Sequence, residues 1–311
     1  SYCNAEFSST WSNDIKKNGI YEGMETGGGQ TYQNDGSHAY AFDPKKPEKN
    51  FFIQSFFKWF DASLKNNLKE LRVTGGEPTR SPQFWELVDR CEDVDFKFAV
   101  NSNLIMGKPR LDRLVECSKK FKQFDLYTSC EASGKAAELI RSGLNYEDWL
   151  DNMRYFATHG KYTNINIMMT ISSLCLFSIT DFLSDIIDMK REFKRPGMFN
   201  LSLNILRFPS FQSVNLLPEN IKITQAMKLE EWLSMHEGFL NDSEVNQIQR
   251  LVSYLRKVDI GYEDEDSLEN KQNDFYKFFK SYTDRRNMNI TEIITDNEFV
   301  DWWHTLREAH D

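Results

Sequence analysis

An alternation of strand-like and helix-like segments constrains the fold of this chain more than any other feature. Between residues 51 and 206, short apolar or alternating runs are separated by longer segments with apolar residues at helical spacing. The predicted strands are 68–74, 95–101, 124–130, 163–171 and 199–206. Strand–helix–strand order predicts a mostly parallel sheet, and a sixth strand is expected near Ser1. We therefore predict an α/β fold, a partial (β/α)6 TIM-like barrel.

The pattern changes after Pro218, where the segments 221–237, 243–257 and 274–286 all have helical periodicity. We predict two domains, a barrel over 1–217 and an all-α extension over 218–311. Within the first domain, residues 23–49 contain Gly27-Gly28-Gly29 and have no apolar periodicity, so a surface loop or flap is expected there.

Composition excludes several classes of protein. The formal net charge is −9 and no basic stripe occurs, so no nucleic-acid partner is expected. Polar residues interrupt every long apolar stretch, so no membrane partner is expected either. The 5 cysteines are odd in number and scattered, which argues against a disulfide framework and favours the cytoplasm.

Polar or glycine-rich residues follow the predicted strands at the point where each strand ends. They are Gly75-Gly76-Glu77-Pro78, Asn101-Ser102-Asn103, Ser129-Cys130-Glu131, Thr170 with Ser172 and Ser173, and Arg207-Phe208-Pro209. Ligands bind at the carboxyl ends of the strands in parallel barrels and open α/β sheets. These residues are therefore expected to share one rim that suits a polar small molecule.

The segment Val73-Thr-Gly-Gly-Glu-Pro78 is the most specific of these strand ends. Two glycines let the backbone turn sharply and approach a ligand closely, and their carbonyls can accept hydrogen bonds from an ammonium group. The segment resembles the GGEP motif of radical S-adenosylmethionine (SAM) enzymes. The resemblance extends over almost the whole chain, most firmly over 68–220, and the tail resembles the C-terminal helices of the twitch-type members.

The resemblance implies a SAM site and a role for each residue in it. Gly75, Gly76 and Pro78 would anchor the methionyl amino end, with Glu77 adding negative charge, and Arg141 would pair with the carboxylate. Asn101 matches the polar end of the family's second strand of this series, which is the predicted strand 95–101 here. Asn103, Ser129 and Glu131 would hold ribose hydroxyls or substrate. The backbone near Leu206 and Leu217 would flank the adenine.

The resemblance also implies a [4Fe–4S] cluster, reductive cleavage of SAM to a 5′-deoxyadenosyl radical, and an electron donor such as flavodoxin or ferredoxin. The substrate is unknown, although twitch-type relatives often modify peptides or proteins. Three cysteines in a Cys-x3-Cys-x2-Cys motif normally hold the cluster. Here only Cys3 matches, and the next two cysteines are absent. Either residues between Ala5 and Glu6 are omitted from the printed sequence, which we favour, or the motif is lost.

Two other functions stay open from the sequence. One is a non-catalytic binding or scaffold protein with a SAM-type fold that has lost its cluster. The other is a different α/β-barrel enzyme, such as a lyase or aldolase, although no strand-end lysine suits a Schiff base. For Arg141, a surface ion pair is as well supported as a contact with the SAM carboxylate.

Overall fold

Five parallel strands form one sheet in the order β1-β2-β3-β4-β5 in the computed structural model. The structure describes residues 1–5, 8–35, 50–195, 197–257 and 266–310. The strands are β1 (Glu70–Val73), β2 (Lys97–Asn101), β3 (Phe124–Ser129), β4 (Asn164–Ile171) and β5 (Phe199–Ile205). The predicted parallel α/β architecture is confirmed, and each strand lies within the segment expected for it.

Helices connect the strands and form the C-terminal region. Before β1 they are α1 (Ser9–Asn18), α2 (Gly27–Gln30) and α3 (Phe51–Trp59), which continues through a π-helical turn (Phe60–Leu64) into α4 (Lys65–Asn67). Between the strands lie α5 (Pro82–Arg90), α6 (Lys108–Lys119), α7 (Gly134–Ile140), α8 (Tyr146–His159) and α9 (Ile179–Phe193). After β5 come α10 (Glu219–His236), α11 (Asp242–Arg256), α12 (Leu268–Asp284), α13 (Ile290–Ile293) and α14 (Asn297–His310). In the described residues, none of these helices has the length and apolar character needed to cross a membrane.

One face of the sheet forms the main core with the connecting helices, and we call it the apolar face. Its side chains are buried and almost all apolar: Phe98, Val100, Phe124, Leu126, Thr128, Ile165, Ile167, Met169, Ile171, Phe199, Leu201 and Leu203. Alternate residues of a strand point to opposite faces, so these positions form one layer. Burying such apolar layers is the dominant favourable term in folding.

The opposite face carries mostly polar side chains, and we call it the polar face. It comprises Glu70, Arg72, Lys97, Ala99, Asn101, Asp125, Tyr127, Ser129, Asn164, Asn166, Met168, Thr170, Asn200, Ser202 and Asn204. All except Ala99 and Asp125 are half-exposed or exposed. Parallel sheets usually have both faces covered by helices, and within the residues that the structure describes this face is covered less than that pattern would predict.

Helix α11 satisfies the backbone at the β5 edge of the sheet. The Leu201 amide donates to Glu244 Oε1 at 2.9 Å, and the Leu203 amide donates to Gln247 Oε1 at 2.7 Å. Arg250 Nη2 donates to the Leu203 carbonyl at 2.8 Å. Side chains therefore take the place of a further strand at this edge.

The sixth strand expected near Ser1 does not form among the described residues, because 1–5 are not in a strand. The described sheet therefore has 5 strands, and closure into a barrel is not observed. Residues 6–7, which include the junction between Ala5 and Glu6, lie outside the described residues.

The described part of the segment 23–49 differs from the loop or flap predicted there. Gly27–Gln30 forms a short helix whose N-cap, Thr26, is fully buried. Asp274 on α12 accepts hydrogen bonds from the Glu25 amide at 2.8 Å and from Thr26 Oγ1 at 2.6 Å. This carboxylate fixes residues 23–35 on the C-terminal helices, and residues 36–49 lie outside the described residues.

Candidate functional site

A cavity of about 940 Å³ lies at the carboxyl ends of the strands. Its wall includes Gly75, Gly76 and Glu77 after β1, Asn101 at the end of β2 with Asn103 beyond it, Ser129 at the end of β3 and Thr170 near the end of β4. The N-terminal segment and the end of α7 complete the wall. The expectation that these strand ends share one rim is confirmed for these residues, and the cavity has the size of a small-molecule site.

The Gly75-Gly76 turn leaves open space beside the cavity. Gly75 has φ +137°, a conformation that other residues rarely adopt, so a glycine is needed there. A Cβ atom added to Gly76 would meet no atom within 4 Å. A ligand can therefore approach the backbone of this turn without displacing protein atoms.

Glu77 joins the end of β1 to the end of β2. Its carboxylate accepts from Thr79 Oγ1 at 2.5 Å, from Ser102 Oγ at 3.0 Å and from the Asn103 amide at 2.7 Å. Hydrogen bonds to a charged carboxylate are stronger than neutral ones, so this network fixes the spacing of the two strand ends. From the sequence, Glu77 is expected only to add negative charge, whereas in the structure its carboxylate positions the two strand ends.

The polar ends of β2 and β3 face the cavity through short side chains. Asn103 Oδ1 accepts from the Ile105 amide at 2.9 Å, which closes a tight turn after β2. The neighbouring residue Leu104 takes a left-handed conformation with φ +54°. This turn holds Asn103 at the cavity wall, beside Asn101 and Ser129.

Arg141, whose side chain is 19% exposed, forms an ion pair with the buried Glu131 at the cavity wall. Its Nε and Nη2 donate to Glu131 Oε2 at 3.1 and 2.6 Å, and Nη2 also donates to the Tyr2 hydroxyl at 2.6 Å. Burial alone would lower the pKa of Arg141, but the charge of Glu131 outweighs it and raises that pKa, so the guanidinium stays charged. Within the described residues Nη1 has no hydrogen-bond partner, and it remains available to an anion.

Two further arginines at the cavity were not identified from the sequence. Arg286 donates to Ser142 Oγ at 3.2 Å, and its guanidinium lies 3.7 Å from the centre of the Tyr282 ring. Arg80 follows the GGEP segment and is exposed. No spacing rule could have placed Arg286 here, because the turn after α12 that carries it reaches the cavity only in the folded chain.

Four of the predicted site residues do not contribute to the cavity wall in the described structure. Pro78 is buried at the start of a short 3-10 helix, and Glu131 is paired with Arg141 and has 1% exposure. Leu206 and Leu217 are buried after β5, with 8% and 3% exposure. The predicted contacts of Glu131 with ribose or substrate and of Leu206 and Leu217 with adenine therefore have no counterpart in this cavity.

Cys3 is the one cysteine at the cavity, and its side chain is exposed. The other four cysteines are buried, and burial raises the pKa of Cys91, Cys117 and Cys130 to about 12, so these thiols stay protonated. The described residues contain no group of three or more His, Cys, Asp or Glu that could hold a metal ion. In this part of the chain, Cys3 has no neighbouring thiolates with which to bind a cluster.

Comparison with known proteins gives only distant similarity. No family model and no curated protein matches the chain. SuiB of Streptococcus suis, in a crystal structure bound to S-adenosylmethionine, is 18% identical with a TM-score of 0.40, over 64% of this chain and 42% of SuiB. A second SuiB crystal structure has the same identity and TM-score, over 63% and 42%. The chain thus spans less than half of SuiB, and its function must be inferred from its own residues.

Proposed function

We propose that the cavity binds SAM and that the chain is the SAM-binding part of a radical SAM enzyme. The observation that carries the proposal is the open Gly75-Gly76 turn, which Glu77 holds in the same cavity wall as Arg141, at the carboxyl ends of a parallel sheet. Such a wall offers backbone groups to an ammonium and a guanidinium to a carboxylate, which are the two charged ends of an amino acid.

The residues present fit the methionyl end of SAM. The free carbonyls of the Gly75-Gly76 turn would accept from the amino group, and Arg141 Nη1 would donate to the carboxylate. The polar groups of Asn101, Asn103 and Ser129 would hold the ribose hydroxyls. When bound, SAM would supply a sulfonium carbon–sulfur bond whose reductive cleavage yields a 5′-deoxyadenosyl radical.

The residues present do not fit a [4Fe–4S] cluster. Three thiolates normally hold such a cluster, and the described residues bring only Cys3 to the cavity. We therefore derive no electron-transfer step from this structure. The cluster, an electron donor such as flavodoxin or ferredoxin, and the twitch-type assignment depend on cysteines that the intact gene product must supply between Ala5 and the following residues.

The lack of neighbouring thiolates among the described residues favours a second candidate, a non-catalytic SAM-binding or scaffold protein with the same fold. Both candidates require SAM to bind, and only the first requires iron. Iron and sulfide analysis of anaerobically prepared intact protein separates them, because an enzyme of this class should contain about four of each per chain.

Calorimetry tests SAM binding with a matched pair of variants. The Gly76→Val side chain enters open space at the cavity, so the variant should fold normally and bind SAM at least tenfold more weakly. Gly238→Val is the control, because a Cβ at Gly238 also meets no atom within 4 Å and that glycine is not in the cavity wall. Equal SAM affinity in all three proteins would exclude the glycine turn from the site.

A further inference from the structure

Helix α3 and the π-helical turn that continues it are apolar on two sides. The inner side packs into the core through Phe57 on the helix and Phe60 in the turn, which are 8% and 0% exposed. On the outer side, Phe51 and Trp59 each have 57% exposure. A surface helix usually has one apolar stripe, which faces the core, and polar residues opposite it. A second apolar side therefore indicates a surface that another molecule covers.

The exposed residues of the outer side form a row along the helix. Phe51, Ser55 and Trp59 are four positions apart, so they are neighbours on one side of α3, and Ser55 is exposed as well. The Phe52 ring lies 4.2 Å from the Phe51 ring, centre to centre, and is also 57% exposed. Lys58 is exposed beside the row. The row thus has an aromatic residue at each end and a small residue at its centre.

A row of this kind is complementary to itself. When two copies of α3 pack antiparallel with Ser55 opposite Ser55, Phe51 of each copy meets Trp59 of the other at both ends. The small serine side chain at the crossing lets the helix axes approach to the distance of about 8–10 Å that is typical of packed helices. In a two-fold dimer residue i contacts residue j, and j contacts i. The spacing of the row meets that requirement.

The exposed aromatic area is of the size that a stable dimer needs. An aromatic side chain buries roughly 150–250 Å², so the three rings that are each 57% exposed present roughly 340 Å² on one copy. A stable interface buries about 800 Å² on each partner, and about 65% of the area is apolar in homodimers. The three rings would therefore supply more than half of the apolar area that one copy contributes.

A membrane surface fits the outer side less well than a second copy does. Helices that lie in a membrane interface bury a wide apolar face and carry many basic residues on the other face. The inner side of α3 is already in the core, so one row is left for contact with lipid. The chain also has a formal net charge of −9, which anionic lipids repel.

We propose that the outer side of α3 is the interface of a two-fold symmetric homodimer, in which Phe51 and Trp59 of one copy pack against Trp59 and Phe51 of the second copy. The residues of the row are not in the wall of the cavity at the strand ends. Each copy therefore keeps its own cavity, and the dimer does not depend on the proposed function.

Sedimentation velocity on the whole chain, from low to high micromolar concentration, tests the proposal. The wild-type chain should sediment as a dimer at high concentration, and added salt should strengthen the dimer because it screens the repulsion between two copies of charge −9. Trp59→Glu should raise the dissociation constant about tenfold or more, because symmetry places the new charge at both ends of the apolar contact. Met235→Glu is the control, because Met235 is 63% exposed on α10.

Ser55→Cys tests the position of the two-fold axis. The two introduced thiols would meet at the axis, so a mild oxidant such as copper phenanthroline should convert the chains into disulfide-linked dimers. Ser234→Cys is the control, because Ser234 is also an exposed helical serine and lies on α10. The wild-type chain under the same oxidant measures cross-linking through the exposed Cys3.

The proposal is overturned if the wild-type chain is a monomer at every concentration, or if Trp59→Glu dimerises as tightly as wild type. It is also overturned if Ser55→Cys gives no more cross-linked dimer than Ser234→Cys. Cosedimentation of a monomeric chain with phosphatidylserine vesicles would contradict it as well, and would assign the row to a membrane surface. Circular dichroism of each variant checks that the chain is folded.

Discussion

The two faces of the sheet come from the same strands and have opposite chemistry. On β5, Leu201 and Leu203 are buried against the helices, whereas Ser202 and Asn204 between and after them lie on the polar face. The apolar face contributes to stability through burial, while the polar face contributes little and is available to ligands. The comparison teaches that alternate residues of the same strands can form a core on one face and leave hydrogen-bonding groups on the other.

The largest expected effect concerns Arg141, whose side chain is 19% exposed at the cavity and pairs with the buried Glu131. Replacing Arg141 with alanine leaves Glu131 charged and buried without its partner, so we expect a loss of about 3–5 kcal/mol in the free energy of unfolding. Urea denaturation measures this loss. Arg72→Ala is the control, because the exposed pair with Glu70 should contribute about 0–1 kcal/mol. Equal losses in the two variants would show that the Arg141–Glu131 pair is not buried in solution.

A smaller effect is expected from two adjacent residues of β5 that face opposite ways. Leu201→Ala removes a side chain with 3% exposure and should cost about 2–5 kcal/mol, because a cavity remains in the core. Ser202→Ala on the polar face should change the free energy of unfolding by no more than about 0.5 kcal/mol. The same denaturation experiment measures both, and a large loss for Ser202→Ala would mean that the polar face is part of the folding core.

Sequence periodicity predicted the strands and their connecting helices because burial on the apolar face repeats with the period of each element. Helices α8 and α9 lie between the predicted strands, in the intervals where apolar residues recur at helical spacing. The prediction of a sixth strand near Ser1 was wrong for the described residues, because 1–5 are not in a strand. Residues 1–3 instead line the cavity, where the Tyr2 hydroxyl accepts from Arg141 Nη2, and such a contact between residues distant in sequence gives no periodic signal.

The strand-end residues of the site were predictable, whereas their partners were not. Gly75 and Gly76 directly follow a predicted strand, and two adjacent glycines at a strand end indicate a sharp turn that a ligand can approach. The pairing of Arg141 with Glu131 and Tyr2 joins residues up to 139 positions apart, and only the folded chain brings them together. The same is true of Asp274, whose hydrogen bonds convert an expected loop into a buried helix.

The central claim is that the cavity at the carboxyl ends of the strands binds SAM. Hydrogen–deuterium exchange with and without SAM tests this claim most directly. With saturating SAM, exchange should slow at residues 74–78, 101–105 and 141–144, which surround the cavity, because the ligand excludes water and restrains these segments. Exchange of α9 and α11, which pack away from the cavity, should not change. Slower exchange in those helices, or no change around the cavity at saturating SAM, would contradict the account.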